Sequence, residues 1–298
     1  MPDSLKVGLI GLDNSHAIVF TKLLNDASDP HHLAGAKMTV GFPGLPSDFH
    51  WSYSRVEKFT SQLRDEWGVK IVGSAAEVAG ECDLVLMTAV DARQHRQLFE
   101  QILPLGKPTF IDKPLATSLA DARWIVRAAQ QARVPLMCSS ALRYADNFRQ
   151  ALAGEPLMAI DVYGPVAEEP AMPGLFWYGV HCVEMVVTAL GAGCRGVRAV
   201  STGPNTLVCL EWGDGRSAFI RGLQGAHGSF GAALHRADSV QQIDINANRR
   251  PYYVGLLETI LAGLAKGEQP VPREQMLELV AIMEAANRSR STGQEVTL

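Results

Sequence analysis

The stretch Asp83-Leu84-Val85-Leu86-Met87-Thr88-Ala89 limits the fold more than any other, because it is a strand-length run that is apolar on both faces. A strand of that kind needs helices above and below its sheet. The neighbouring chain supplies them: strand-like runs over residues 6–11, 38–40, 69–72, 109–111 and 134–138 alternate with helical patterns over 17–24, 54–67, 74–79, 95–103 and 118–132. Strict alternation predicts an α/β first half built on a doubly wound parallel sheet.

The chain has 298 residues, 47% of them hydrophobic, which suits two domains, expected at 1–141 and 142–298. Lys+Arg 27 against Asp+Glu 31 gives a net charge of -4 with no basic block, so nucleic acid is not an expected partner. No apolar run reaches membrane-spanning length and the N-terminus leads straight into a strand, which points to a cytoplasmic protein that does not engage a membrane. The five cysteines are scattered and lack Cys-x-x-Cys spacing, so they read as buried hydrophobes, with Cys182 beside His181 the one to watch. No metal site is expected, since His181 and Glu184 offer only two ligands in one place.

The first strand, with Gly8 inside it, ends at Gly11, and Asn14-Ser15-His16 caps the helix that follows. A dinucleotide-binding domain opens in this way, yet Gly-x-Gly-x-x-Gly read from Gly11 has Asp13 in the second glycine position and His16 in the third. An aspartate there adds bulk and negative charge where a pyrophosphate would approach. The second strand ends without the acid that reads a ribose hydroxyl and without an arginine for a 2′-phosphate, so NAD and NADP are not distinguished. Gly41 to Pro46 reads as a mobile loop that continues through Phe49, Trp51 and Tyr53, either as a lid or as a plain loop with apolar anchors.

At the far end of the sheet, Thr109-Phe110-Ile111 is a short strand that must stop at Asp112-Lys113-Pro114. Ligands of open α/β sheets bind beyond the carboxyl ends of the strands, and a lysine delivered there can do proton work if its pKa falls. Thr88 stands at the end of the central strand. His95 follows it one turn into a helix, close enough to face a site, although a half-exposed structural role is the ordinary reading for such a position.

The rhythm changes after Arg143-Tyr144. A strand over 157–163, a Pro/Gly-rich loop over 164–174 and a helix over 176–190 lead to strands over 197–201, 206–212, 216–223, 229–235 and 239–245. Gly213-Asp214-Gly215 makes a hairpin turn. An α+β domain with a mostly antiparallel open sheet is expected, one face covered by helix and the other by a second copy of the chain. On the 176–190 helix, Trp177, His181 and Glu184 stand at i, i+4 and i+7 and should share a face. Helices over 252–265 and 273–289 close the chain.

Taken in order, these segments resemble the Gfo/Idh/MocA family, the glucose-fructose oxidoreductase, inositol dehydrogenase and MocA proteins. Ile111-Asp112-Lys113-Pro114-Leu115-Ala116 is similar to the family's Glu-Lys-Pro segment with aspartate for glutamate. His95 falls where a family histidine follows the fourth strand, and Gly179-Val180-His181-Cys182-Val183-Glu184 resembles the Gly-x-His-x-x-Asp helix. Glu284-Ala285-Ala286-Asn287-Arg288-Ser289 to Val296 resembles the usual ending. The resemblance implies hydride transfer between NAD or NADP and a sugar, polyol or related small polar metabolite. Lys113 would touch nicotinamide and substrate hydroxyl, and His181 would be the general acid/base. It further implies cofactor contacts from Gly8, Gly11, Asp13, Asn14, Ser15, His16, Thr88, His95, Asp112 and Lys113. Substrate contacts would come from Lys113, Arg143, Trp177, Tyr178, His181 and Glu184. Many members carry an aspartate four residues before the histidine; here that residue is Trp177, and Glu184 is the candidate to hold the imidazole instead. A sensor that kept the fold and lost the chemistry, or a glycosidase using NAD in a redox-neutral cycle, are the alternatives. Assembly as a homodimer or larger through the C-terminal sheet is implied as well.

Overall fold

The computed structural model describes residues 4–167, 169–225 and 228–298. They form two compact units. The first runs to Ala116 and includes Ala120–Cys138 and Leu256–Val271, and the second holds Thr117–Leu119, Ser139–Gly255 and Pro272–Leu298.

The first unit is a six-stranded sheet in the order β3-β2-β1-β4-β5-β6. Its strands are β1 (Leu5–Ile10), β2 (Ala36–Phe42), β3 (Lys70–Ile71), β4 (Leu84–Met87), β5 (Thr109–Asp112) and β6 (Leu136–Ser139). The pairs β1–β2, β1–β4, β2–β3 and β4–β5 are parallel. Helices α1 (Ser15–Asn25), α2 (His50–Tyr53), α3 (Val56–Trp67), α4 (Ala75–Glu81), α5 (His95–Ile102) and α6 (Leu119–Ala132) intervene. The doubly wound expectation is met, and its cause is visible in β4, where Leu84, Val85, Leu86 and Met87 are all 0% exposed. Local chemistry sets the helix starts: Asn14 accepts from His16 N–H, and Ser74 accepts from Glu77 N–H.

Two glycines fix how β1 sits. A Cβ on Gly8 would stand 2.5 Å from Val78 Cγ1 and 2.9 Å from Cys82 Sγ, so this glycine lets α4 approach the strand. Gly11 has φ +87°, and a Cβ on it would overlap the Ala89 backbone. Only glycine turns the chain there.

The second unit is a seven-stranded sheet in the order β12-β11-β7-β10-β9-β8-β13. The strands are β7 (Ala159–Val166), β8 (Cys194–Thr202), β9 (Asn205–Trp212), β10 (Ser217–Gln224), β11 (Gly231–His235), β12 (Val240–Asp244) and β13 (Val296–Thr297). Only β7 and β10 pair in parallel; the other described pairings are antiparallel. Helix α7 (Asp146–Leu152) precedes this sheet, and α8 (Val180–Leu190) and α10 (Arg273–Thr292) pack on it. In β9 the even residues Thr206, Val208, Leu210 and Trp212 are buried while Cys209 and Glu211 are exposed, the alternation of a sheet covered on one face.

Three features depart from the sequence expectations. Helix α8 begins at Val180, not at 176; a 3₁₀ turn, Gly174–Phe176, comes first, and Trp177 lies between them. The C-terminal β13 was not anticipated; it pairs with β8 at Val296 and Thr297. Finally, α9 (Tyr252–Ala262) runs into a segment that returns to the first unit, where Leu257, Ile260, Leu264 and Val271 are 0% exposed. A helix apolar nearly all round carries no sign of which core it will join.

Candidate active site

In the first unit the candidates gather around Asp112, the last residue of β5. Its carboxylate accepts three hydrogen bonds: from Asn14 Nδ2 at 3.0 Å, from His16 Nδ1 at 2.6 Å and from the Lys113 backbone N–H at 2.9 Å. Burial acts to raise its pKa, but the neighbouring His16 and Lys113 outweigh that and hold the carboxyl far below the ordinary range. One anion thus ties the start of α1 to the residue that presents Lys113. Asn14 serves both ends, capping α1 with its oxygen and reaching Asp112 with its amide. Ser15 is exposed at the same helix start, and Lys113 is partly exposed ahead of a cis bond to Pro114.

Asp13 does not face outward from this turn. It is 4% exposed, its Oδ1 accepting from Val90 N–H at 2.9 Å and its Oδ2 from the Ser52 hydroxyl at 2.5 Å. Burial raises its pKa to about 6, with the hydrogen bonds from Ser52 and Val90 opposing. The expected clash between an aspartate in the second glycine position and a phosphate is therefore removed, because the side chain is turned into the protein.

The loop after β2 is fastened, contrary to the mobile loop expected. Ser47 donates to Asp91 at 2.6 Å, Arg93 pairs with Asp48 and Asp91, and Gln94 Nε2 donates to the Leu45 and Pro46 carbonyls, each at 3.2 Å. Phe49 is buried as an anchor while Tyr53 is exposed. These partners lie 40 or more residues away, beyond the reach of local pattern.

Three candidates for cofactor contact serve other ends. Gly8 faces α4, as described. Thr88 is 0% exposed and donates from Oγ1 to the Gly11 carbonyl at 2.6 Å, so it braces the turn. His95, expected to be half-exposed or to face a site, is 0% exposed: Nδ1 lies 3.0 Å from the Pro114 carbonyl and 3.2 Å from that of Leu115, and Nε2 lies 2.9 Å from that of Ala89. Burial lowers its pKa against the pull of these carbonyls. His95 sits packed between the segment after Lys113 and the end of β4, and in its neutral form its one N–H donates to a carbonyl on one side only.

The residues present fit a nicotinamide dinucleotide at the turn. Gly11 gives the tight bend, the start of α1 offers its positive end, and Asp13 is turned away. At the end of β2, Phe42 and Pro43 stand where a ribose-binding acid is usual.

In the second unit the candidates centre on Glu184. It is 0% exposed, accepting from Arg143 Nε at 2.5 Å and from Ser140 N–H at 3.0 Å. Arg143 Nη1 also donates to Gln275 at 2.9 Å. Arg143 and Glu184 therefore pair inside the unit, with Glu184 0% and the Arg143 side chain 12% exposed, which corrects the expected substrate contact for Glu184. Nor does Glu184 hold His181. The partner at His181 Nδ1 is the hydroxyl of Ser140, at 2.6 Å, a residue that sequence reasoning missed. Leu142 N–H donates to the same hydroxyl at 3.2 Å, as the cap of a 3₁₀ turn over Ala141–Tyr144.

Aromatic rings surround the imidazole. Tyr178 is 42% exposed with its ring 6.2 Å from that of His181, and Phe230 meets the imidazole edge-on at 5.2 Å. Trp177, 9% exposed, stands against Tyr178 at 5.5 Å. Since Trp177 precedes α8, it does not share a helical face with His181 and Glu184. Gly179 is needed by close approach, as a Cβ there would lie 2.6 Å from Leu175 Cδ2. Cys182 is fully buried and burial pushes its thiol up to about 12, which leaves it inert. Part of the 164–174 loop, Glu168, lies outside the described residues. Among the described residues there is no group of three or more metal-ligating side chains, and no helix is long and apolar enough to cross a membrane.

Residues 5–140 match the model of an oxidoreductase family with an NAD-binding Rossmann fold, GFO_IDH_MocA. Inositol 2-dehydrogenase of Cereibacter sphaeroides is 33% identical over 116 residues, 37% of this chain and 33% of that protein. The chain spans about one third of the length of the curated relatives it matches. Among solved structures, GenD2 from gentamicin A biosynthesis, in complex with NAD, superposes with a TM-score of 0.81 at 18% identity, covering 100% of this chain and 97% of that one. Myo-inositol 2-dehydrogenase from Lactobacillus plantarum superposes with a TM-score of 0.80 at 14% identity, covering 99% and 100%. The fold follows theirs, and residues 5–140, a little under half of the chain, match the Gfo/Idh/MocA oxidoreductase family model.

Proposed function

We propose that this protein is a nicotinamide-dependent dehydrogenase or reductase acting on a CH–OH or carbonyl carbon of a sugar, polyol or related small metabolite. The observation that carries the proposal is the clamp on Asp112, which fixes Lys113 at the carboxyl end of β5 and ties it to the helix start where a dinucleotide phosphate binds. A bound NAD or NADP supplies the hydride acceptor or donor. Asn14, Ser15 and the Gly11 turn would hold its phosphates. Lys113 would orient the substrate hydroxyl and stabilise the oxygen as its proton leaves, and His181 would take that proton.

The relatives named as inositol dehydrogenases support a polyol, and so does the exposed ring of Tyr178 beside His181, a surface on which the C–H face of a sugar ring can stack. Five free cysteines suit a reducing cytoplasm. The outer face of the second sheet, with Tyr163, Phe219, Arg221 and Leu223 at least partly exposed, suits a second copy of the chain. The missing acid at the end of β2 favours a second reading, a sensor that binds a metabolite without turning it over.

Titration of the purified protein with NAD+ and NADPH, followed by nicotinamide fluorescence or protein quenching, tests the proposal. Binding of either, with reduction of NAD+ or NADP+ in the presence of myo-inositol or a related polyol, is the expected result. No binding of either at millimolar concentration would overturn it, and sugar binding unaffected by K113A and H181A would favour the sensor.

A further inference from the structure

We infer that Ser140 is a positioning residue for His181, and that the Arg143–Glu184 pair exists to hold Ser140 in place. The inference rests on the reading above in one respect: it takes His181 to be the group that moves a proton.

A neutral histidine accepts a proton on the ring nitrogen that lacks one, and the hydrogen bond made by the other nitrogen sets which nitrogen that is and how the ring is turned. The usual acceptor is a carboxylate. Here the residue four before His181 is Trp177, and the carboxylate on the same helix, Glu184, is spent on Arg143 Nε and Ser140 N–H. Ser140 remains, its Oγ 2.6 Å from Nδ1.

A hydroxyl oxygen has two lone pairs and one hydrogen. Leu142 N–H takes one lone pair at 3.2 Å. In the tautomer we infer, the other accepts Nδ1–H, which leaves the basic lone pair on Nε2, the nitrogen that takes the proton. After Nε2 is protonated, Nδ1–H donates to the same oxygen, so the imidazole keeps its orientation in both states. The backbone beneath the hydroxyl is equally fixed. Ser140 is 0% exposed, its N–H is held by Glu184, and Arg143 is braced in turn by Gln275. A fully buried carboxylate paired with a part-buried guanidinium would be a costly way to build a surface and is a reasonable way to hold one hydroxyl still.

The test compares wild type, S140A and S140T by ¹⁵N-detected NMR of the His181 imidazole across pH, alongside turnover of NAD+ with myo-inositol. In S140A the His181 resonances should move from a single Nδ1–H tautomer toward a mixture. The kcat should fall about tenfold to a hundredfold with KM nearly unchanged, and the pH profile should shift. S140T, which keeps a hydroxyl, should restore both. Should S140A fail to fold, S140C and E184Q give the same reading, because each loosens the hydroxyl or its backbone support. Unchanged His181 resonances and an unchanged pH profile in S140A would overturn the inference. The NMR arm is independent of turnover: a wild type without dehydrogenase activity but with a Ser140-dependent tautomer would refute the proposed function and leave the positioning intact.

Discussion

Asp13 Oδ2 accepts a hydrogen bond from the Ser52 hydroxyl at 2.5 Å, which joins the turn after the first strand to a short helix 39 residues on. The carboxyl is buried and its pKa is raised from 3.8 to about 6. A group whose pKa is raised on folding favours the folded state while it is protonated, and that advantage is lost as pH rises from the unfolded value through the folded one. Stability measured by denaturant should therefore fall relative to D13N between about pH 4 and pH 6, by on the order of 2 kcal/mol. A wild type that tracks D13N at every pH would show that the carboxyl is not buried as described.

Gly11 is pinned by geometry. With φ +87° and the Ala89 backbone where a Cβ would go, G11A should cost about 3 kcal/mol or more and lower the melting temperature by roughly 5–12 °C. Thr88, which donates to the Gly11 carbonyl, should tolerate serine and suffer with valine, since valine leaves that carbonyl without its donor. Calorimetry of the three variants checks both statements.

His95 links the end of β4 to the segment after Lys113 through carbonyls alone. H95A should destabilise the protein by about 2–4 kcal/mol, because it opens a cavity and removes the N–H that the neutral ring donates to one of the facing carbonyls. A cofactor-binding histidine would behave otherwise, with nicotinamide affinity lost and stability kept. Chemical denaturation and cofactor titration on one preparation separate the two.

The Arg143–Glu184 pair is buried enough that removing one partner should cost more than removing both. R143M should lose about 3–5 kcal/mol, and R143M/E184L should recover part of it. A double-mutant cycle with additive losses would mean the pair is not coupled.

Much of the fold could be read from residue order, since β4 is apolar on both faces and the second sheet alternates cleanly along β9. The start of α8 could not: Phe176-Trp177-Tyr178-Gly179 continues the apolar pattern, and no side-chain cap marks Val180 as the first helical residue. Lys113 could be singled out because a strand end before a proline is visible in sequence, and His181 because Gly179 to Glu184 resembles a family motif. Their supports could not, because His16 reaches Asp112 across 96 positions and Ser140 reaches His181 across 41. Ser140 gave a weak signal as a serine beside the end of a buried strand, a usual place for a cap. Glu184 misled because helical spacing puts it near His181, while a part-buried arginine draws its charge elsewhere.

The proposed function needs both Lys113 and His181 for hydride transfer. Single-turnover hydride transfer from myo-inositol, or from whichever related polyol reduces NAD+ or NADP+, should be measured for wild type, K113A, H181A and the double variant. Each single change should slow transfer by about 10²–10⁴-fold, and the double variant should be far less impaired than the product of the two. Transfer at the wild-type rate in either single variant would contradict the claim.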